Sequence, residues 1–581
     1  MNNKIGRIIE VSNSVIRVEI EDLKNLHYNH NGNSYTSKGI NEYISIDGKF
    51  GDVFIYQTVR AEDNEKLLSQ TENSKIKNSG IFTCIPIGII SNSEIKFNLY
   101  YYPFLNDEVY LTTFEQLDTI FSSHTLDKGI IFGNTLDGFM PSIGLEEYLT
   151  RHTAVLGNTG SGKSTTIRKS LEEVSRLNPS NVCFHILDIH GEYEPIGEID
   201  YKKFEIQNDY KILIKSLNLD DWSNLFKPSE QVQYPILQLS LKLANLISTY
   251  PWFREWMYLY LSYSLFTKVQ TDVVGKRSKI GKLITAHNLI SSNPINIANY
   301  SVQYGNFPNE QAQNNFLDCL KSGMSILWKD SGNYPESSFN HLIDLSDYSA
   351  DTFNELFEAL EFSYLVEEAK GNSQSRAYSA SLETRIKTTS IRYKSLFTSD
   401  EKEVQDTTPD RFIIYNVESL DDDLLLFFTS YLINNQFEAQ QSISPDDRNI
   451  HVFLLEEAHR YISKNLEITS QQQLNLFKRV AREGRKFGCF IHISSQRPSE
   501  LSSTVLSQCN NFIIHRVKNS RDLEYISSTI PYLTKNQTDR ISYLPTGTAL
   551  FVGDLFPIPL EISVSDSRLF NDTKSPLIKY R

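Results

Sequence analysis

The sequence predicts an α/β protein: a parallel-sheet core, a small β-barrel or sandwich in front of it, and a helical insertion within it. Three textures along the chain say so. Short strand-like runs, Ile5–Val11, Val15–Ile20, Asp52–Val59 and Ile81–Ile90, alternate with Gly, Asn and Asp turns through roughly the first 120 residues. From about residue 125, apolar runs alternate with helix-competent stretches. The expected core strands are Thr153–Leu156, Val182–Asp188, Phe412–Val417, His451–Leu455, Cys489–Ser494, Phe512–Val517 and Ala549–Val552. Between 200 and 400 the strand runs thin out, and Trp252–Val269 and Asp351–Lys370 have helical composition. The expected parts are a barrel at 1–125, the first portion of the core at 126–200, a mainly helical insertion at 201–400, and the rest of the core with a C-terminal segment at 401–581. The polar stretch Thr398–Asp410 is expected to loop back into the next core strand.

A chain of 581 residues exceeds what one hydrophobic core holds. Its 40% apolar and 22% charged residues exclude disordered and fibrous classes. Cys84, Cys183, Cys319, Cys489 and Cys509 lie far apart with no C-x-x-C pair, which argues against a zinc site or disulfide framework and fits a reducing cytoplasm. The opening Met1–Arg7 lacks the apolar stretch of a secretory signal. Leu424–Phe428, the densest apolar cluster, is short enough for a core helix rather than a membrane span. A net charge of -14 argues against non-specific coating of nucleic acid, since phosphate binding needs concentrated Lys and Arg. Any DNA contact must be local, and a closed ring with basic loops in its pore is compatible with an acidic exterior.

The run Gly157-Asn158-Thr159-Gly160-Ser161-Gly162-Lys163-Ser164, followed by Thr165, is a full match to G-x-x-x-x-G-K-[ST]. An apolar strand feeds it and the helix-competent Ser164–Leu177 follows, the context that a P-loop in a RecA-like ATPase core requires. Glycines let backbone N–H groups turn inward around phosphate oxygens, and the helix N-terminus adds its dipole. Lys163 neutralises β/γ charge, and Ser164 can ligate Mg²⁺. ATP and Mg²⁺ are therefore the expected cofactors.

Further along, the apolar strand His451–Leu455 ends in Glu456 and Glu457. Acids at the end of a buried strand emerge where nucleotides lie in open α/β sheets. Glu456 is expected to organise the metal and Glu457 to polarise the attacking water, the two pointing to opposite faces of an extended chain. Ser494-Ser495-Gln496-Arg497-Pro498 ends another strand, and Gln496 there can bond both γ-phosphate and lytic water. A plain polar turn ahead of Pro498 is the competing reading. Arg482 and Arg485, three apart just before that strand, and Arg151, before the P-loop strand, are candidates for an arginine that reaches a neighbour's nucleotide; solvated surface charge is the alternative for each.

Together these elements resemble the HerA group, relatives of the FtsK-type translocases. The matching pieces are the opening Ile5–Val11, the P-loop, Asp188-Ile189-His190-Gly191-Glu192-Tyr193, Glu456-Glu457-Ala458-His459, Arg482–Gly488 and Ser495-Gln496-Arg497-Pro498, in the family's order. Ile189 stands where the family often has Pro, and residues 200–400 match nothing. The resemblance implies a homohexameric ring that pumps double-stranded DNA, with Lys163, Glu456 and Glu457 acting in cis and Arg482 and Arg151 in trans. It also implies a separate effector, a NurA-type nuclease or a sirtuin-like NAD hydrolase, in DNA end processing or antiphage defence. No nuclease motif is visible in this chain. Two other readings stay open: an ATP-regulated scaffold ring that activates an effector without translocating, and a secretion or conjugation ATPase, which the missing membrane segment disfavours. His190, Glu192 and His459 are expected in a hydrogen-bond network rather than a second metal site. Gln374–Leu396, with Arg376, Arg385, Lys387, Arg392 and Lys394 against Glu383, is the candidate basic surface.

Overall fold

The structure, a computed structural model, describes residues 4–570 apart from 21–25, 31–32, 38, 64–79, 93, 98, 122–127, 137, 196–199, 270–271, 293, 301–305, 330, 406–410, 465–470 and 531–532. The last part of the expected loop at 398–410 thus lies outside the described residues.

The N-terminal domain is a closed barrel of six strands: β1 (Lys4–Val11), β2 (Ile16–Ile20), β3 (Tyr43–Asp47), β4 (Val53–Asp63), β5 (Gly80–Ser91) and β6 (Glu108–Leu111), in the order β2-β1-β6-β3-β4-β5. Antiparallel pairing of β2 with β5, from Ile16 opposite Cys84 to Ile20 opposite Gly80, closes the ring and removes both edges. Alternation does the rest. In β2, Ile16, Val18 and Ile20 point inward to join Ile5, Ile44, Phe54, Phe82 and Val109 in the barrel core.

The core sheet has ten strands. In chain order these are β7 (Gly133–Asn134), β8 (Thr153–Leu156), β9 (Val182–Asp188), β10 (Tyr201–Glu205), β11 (Phe412–Asn416), β12 (Ile450–Leu455), β13 (Cys489–Ser495), β14 (Asn511–Ile514), β15 (Thr548–Gly553) and β16 (Leu560–Val564). Their order in space is β7-β16-β15-β14-β8-β13-β12-β9-β11-β10. From β14 to β10 every pairing is parallel, whereas β15, β16 and β7 extend the β14 edge antiparallel. The sheet is therefore mixed, not purely parallel. Strands β9 and β13 are buried along their whole length, as expected of central parallel strands covered on both faces.

One sheet face, with Val155, Phe184, Ile186, Val452 and Leu454, packs on helix α1 (Lys163–Leu177) and on Tyr43, Ile55 and Phe121 at the barrel side. The other face, with Leu156, Leu187, Tyr415, Leu455 and Ile493, shares one apolar core with the insertion. That insertion runs from β10 to β11 and contains α2 (Leu219–Phe226), α3 (Gln233–Thr249), α4 (Phe253–Lys268), α5 (Val273–Ile290), α6 (Glu310–Leu327), α7 (Pro335–Leu345), α8 (Phe353–Ala369) and α9 (Ser375–Arg392). Helices α10 (Asp422–Gln441) and α11 (Gln471–Phe487) are among those that follow in the core, and α10 buries the apolar cluster Leu424–Phe428. No helix among the described residues is long and apolar enough to cross a membrane.

Sequence and structure differ at several places. The sheet continues past residue 200: Tyr201–Glu205 is its outermost strand, and its polar, half-exposed pattern is that of an edge, which periodicity in apolar residues does not reveal. The strand expected at Phe512–Val517 ends at Ile514, because the chain turns there to bring His515 beneath the P-loop. The candidate basic surface on α9 is partly neutralised, two of its cations lying in ion pairs and a third bonding a neutral amide. Arg376 pairs with Glu361 and Glu383, Arg392 pairs with Asp421, and Arg385 donates to Gln233.

Helix α11 reaches β13 closely only because residue 484 has no side chain: a Cβ there would lie 2.1 Å from the carbonyl oxygen of Cys489. Gly484→Ala should therefore destabilise the protein by about 1–3 kcal/mol, the cost of overpacking, although alanine favours helix by about 1 kcal/mol. Urea unfolding showing equal or higher stability would contradict this packing.

Candidate nucleotide site

Strand register assembles the site. Leu156 pairs with Ser495, Leu455 with Ile493 and Leu187 with Leu455, so β8, β13, β12 and β9 end at nearly one level. At that carboxyl edge the P-loop leaves β8, Gln496 leaves β13, the two glutamates leave β12 and Asp188 closes β9.

The P-loop turns sharply, with positive φ at Gly157, Gly160 and Gly162, before α1 begins at Lys163. Lys163 is buried, and its ammonium donates to the carbonyls of Gly157 at 2.8 Å and Asn158 at 3.2 Å. Burial draws its pKa down, opposed by the charges of Glu457, Glu456 and Glu192. Thr159 and Gly160 are exposed at the loop tip, Ser161 is buried and donates to Asn158, and Ser164 and Thr165 stand half-buried in the first turn of α1. Beneath the loop lies His515, wholly buried, its ring sharing a 2.8 Å hydrogen bond with Thr166. A Cβ at Gly157 would lie 2.6 Å from that of His515, so the support under the loop dictates the glycine above it. Burial, and then the charge of Lys163, push the imidazole down to about 3, so it stays neutral.

Glu456 is buried and accepts a 2.7 Å hydrogen bond from Tyr193 on Oε1. Burial pushes its carboxyl up to about 8; the Tyr193 bond works against this, and the charges of Asp188, Glu192 and Glu457 add to it. Its Oε2 is buried without a hydrogen-bond partner among the described residues. A Mg²⁺ ion is the kind of group such an oxygen accepts, so the donor set of Glu456 and Ser164 fits that cofactor. Glu457 departs from the expected extended geometry: its φ of 42° is left-handed, and this turn, not strand pleating, separates the two acids. The carboxylate of Glu457 accepts from Gln496 Nε2, while Gln496 Oε1 accepts from Thr159, so Gln496 bridges the P-loop and the second acid. His459 stands 3.3 Å from the other oxygen of Glu457 and 3.4 Å from Ser495. His190 and Glu192 serve the adjacent turn through their backbone N–H groups, both donated to Asp188. Chemically, the edge can hold a triphosphate, place a cation at Glu456 and deprotonate a water at Glu457.

The three arginines lie elsewhere. Arg151, Arg482 and Arg485 line one cavity of about 290 Å³ with His152, Gln508 and Asn510. It sits at the amino edge of the sheet, where β8 and β13 begin, roughly 20 Å from the P-loop edge of the same chain, since β13 has seven residues at about 3.3 Å each. Arg151 pairs with Asp554 at 3.2 Å, and Arg482 and Arg485 are exposed with no ion pair among the described residues. Tyr193, His515 and Thr166 were not singled out as site residues by sequence reasoning. Tyr193 carried a signal, its place in the Asp188–Tyr193 motif; nothing local marks His515. A separate buried cluster, Cys183, His185 and His451, lies nearer the amino end of β9, where the imidazoles bond each other at 3.0 Å and reach Tyr415 and Gln440, so hydrogen bonding accounts for it.

Fold and site define a P-loop ATPase. A family model described as the central domain of helicase HerA matches residues 137–272. A probable helicase of Methanocaldococcus jannaschii is 22% identical over 580 residues, covering 97% of this chain and 93% of the relative. The DNA double-strand break repair helicase HerA of Sulfurisphaera tokodaii is 24% identical over 528 residues, covering 89% and 82%. Among solved structures, VirB4 of Thermoanaerobacter pseudethanolicus is 14% identical and covers 76% of this chain and 98% of its own, with a TM-score of 0.42. Over most of its length the chain is thus similar to HerA-type helicases.

Three expectations follow. Lys163→Ala should abolish phosphate release, while Glu457→Gln, which keeps size but cannot act as a base, should bind nucleotide and turn over slowly; loss of binding in the second would make Glu457 structural. The carboxyl of Glu456 is protonated below about 8 in the metal-free protein, and only its ionised form binds Mg²⁺. The Mg²⁺ concentration giving half-maximal hydrolysis should accordingly fall as pH rises from about 7 to 8.5, and this dependence should disappear in Glu456→Gln.

Proposed function

We propose that this chain is the subunit of a ring-shaped motor that uses Mg²⁺-ATP hydrolysis to move double-stranded DNA. The observation that carries this reading is the separation of the arginine cavity from the P-loop. Groups at opposite edges of one sheet cannot meet on one nucleotide, but adjacent subunits stacked head to tail can bring them together. Lys163, Glu456, Glu457 and Gln496 then act on the nucleotide of their own chain, and Arg482, Arg485 or Arg151 stabilises charge on the neighbour's γ-phosphate. Six subunits, a cytoplasmic setting and a separate effector, a NurA-type nuclease or sirtuin-like NAD hydrolase serving DNA end processing or antiphage defence, complete the reading by family resemblance. The DNA substrate is supported by the repair-helicase relatives. One observation favours the alternative of an ATP-regulated scaffold ring: Arg376 and Arg392 of the candidate basic segment are held in ion pairs, leaving less basic surface for DNA.

Salt-sensitive stimulation of hydrolysis by long duplex DNA separates motor from scaffold. Assembly is tested by mixing. Arg482→Ala and Lys163→Ala proteins should each be inactive, yet activity should partly return when they are combined, since an intact P-loop can then sit beside an intact arginine. Mixed rings confirmed by mass but without recovery would remove Arg482 from the trans role.

A further inference from the structure

We propose that Tyr193 is a positioning residue of the magnesium site, its hydroxyl holding one oxygen of Glu456 so that the other stays available to the cation. The proposal rests on the reading of Glu456 as a Mg²⁺ ligand. Its starting point is Asp188, an acid at the carboxyl end of β9 where a metal ligand would be at home. Both oxygens of Asp188 are already engaged elsewhere: Oδ1 accepts from the N–H groups of His190 and Glu192, at 3.3 and 3.0 Å, and Oδ2 from that of Tyr193 at 3.1 Å. Three backbone bonds to one carboxylate lock the turn after β9. What the locked turn delivers is Tyr193.

The Tyr193 side chain is wholly buried, with its ring edge-on to Phe570 at 6.3 Å between centroids, and its hydroxyl donates to Glu456 Oε1. Burial, reinforced by the neighbouring Glu456 charge, raises the phenol well above its ordinary pKa, so it keeps the proton that it donates. A second tyrosine, Tyr461, donates to the backbone carbonyl of Glu456 at 2.5 Å. Glu456 is thus held at its backbone and at one side-chain oxygen. Of the two carboxylate oxygens, Oε2 alone is left without a partner among the described residues. Without the Tyr193 hydroxyl both oxygens would be orphaned in the interior and free to turn, and the cation would have to order the side chain it binds. Groups that orient a metal ligand in this way are typically worth about 10- to 100-fold in affinity or activity.

The test is a double-mutant cycle on the full chain, with Tyr193→Phe, Glu456→Gln and the two combined, read as kcat, Mg²⁺ half-saturation and binding of a fluorescent ATP analogue in EDTA. Tyr193→Phe should raise the Mg²⁺ requirement or lower kcat by roughly 10- to 100-fold while leaving metal-free nucleotide binding intact. The double variant should be no slower than Glu456→Gln alone, because Tyr193 acts through that carboxylate. Wild-type Mg²⁺ dependence in Tyr193→Phe, or losses that multiply in the double variant, would overturn the proposal. Should the single variant fail to fold, the double decides: recovery of folding once the stranded carboxylate is gone supports the assignment, and failure of both reduces Tyr193 to packing. Full activity in Glu456→Gln would instead sink the metal-site reading itself.

Discussion

The hydrogen bonds that set β8 beside β13, and β12 beside both β13 and β9, are the constraint from which the rest of the site follows. Parallel strands have a side-chain period of two, so slipping one by a single residue would turn its core face outward and move its terminal residue by about 3.3 Å. Leu156, Leu455, Ile493 and Leu187 all lie in buried clusters, so such a slip is strongly opposed. The same apolar contacts that hold the sheet together therefore also bring Gly157, Gln496, Glu456 and Asp188 to one edge. Precision at the nucleotide derives from packing beneath it.

The second organising force is charge. Glu192, Glu456 and Glu457 act on Lys163, with Asp188 beside Glu456, and the burial that makes their repulsion costly also strengthens each attraction. Each acid meets this differently. Asp188 is satisfied by backbone donors, Glu192 lies 3.9 Å from Arg168, Glu457 is contacted by Gln496 and His459, and Glu456 sits deepest with one oxygen unpaired. A divalent cation and a triphosphate bring opposite charges to this edge, so binding both together disturbs the balance less than binding either alone.

Legibility in the sequence followed the range of the interaction concerned. The P-loop, the buried strands and the acid pair are contiguous, and their residue types state their chemistry. The polar strand β10, the short barrel strand β3 and the antiparallel edge were hard to read because edge position or tertiary pairing, not local pattern, defines them. Tyr193 meets Glu456 across 263 residues and Thr166 meets His515 across 349, distances at which no spacing rule operates. The window Gln374–Leu396 shows its cations without all of their partners for the same reason. Glu361 and Asp421, which neutralise Arg376 and Arg392, lie outside that window.

The insertion occupies the crossover between the neighbouring parallel strands β10 and β11, a connection that a single helix of about a dozen residues can make. Had it been tethered by slack linkers, any displacement imposed on it would have been absorbed there. Its helices instead share a continuous close-packed interior with the sheet face bearing Leu187 and Leu455, the residues immediately before Asp188 and Glu456. Close-packed interiors compress little and transmit strain. A mechanical load on the insertion would therefore reach the base of the nucleotide site through this packing, as through a stiff lever rather than across a hinge.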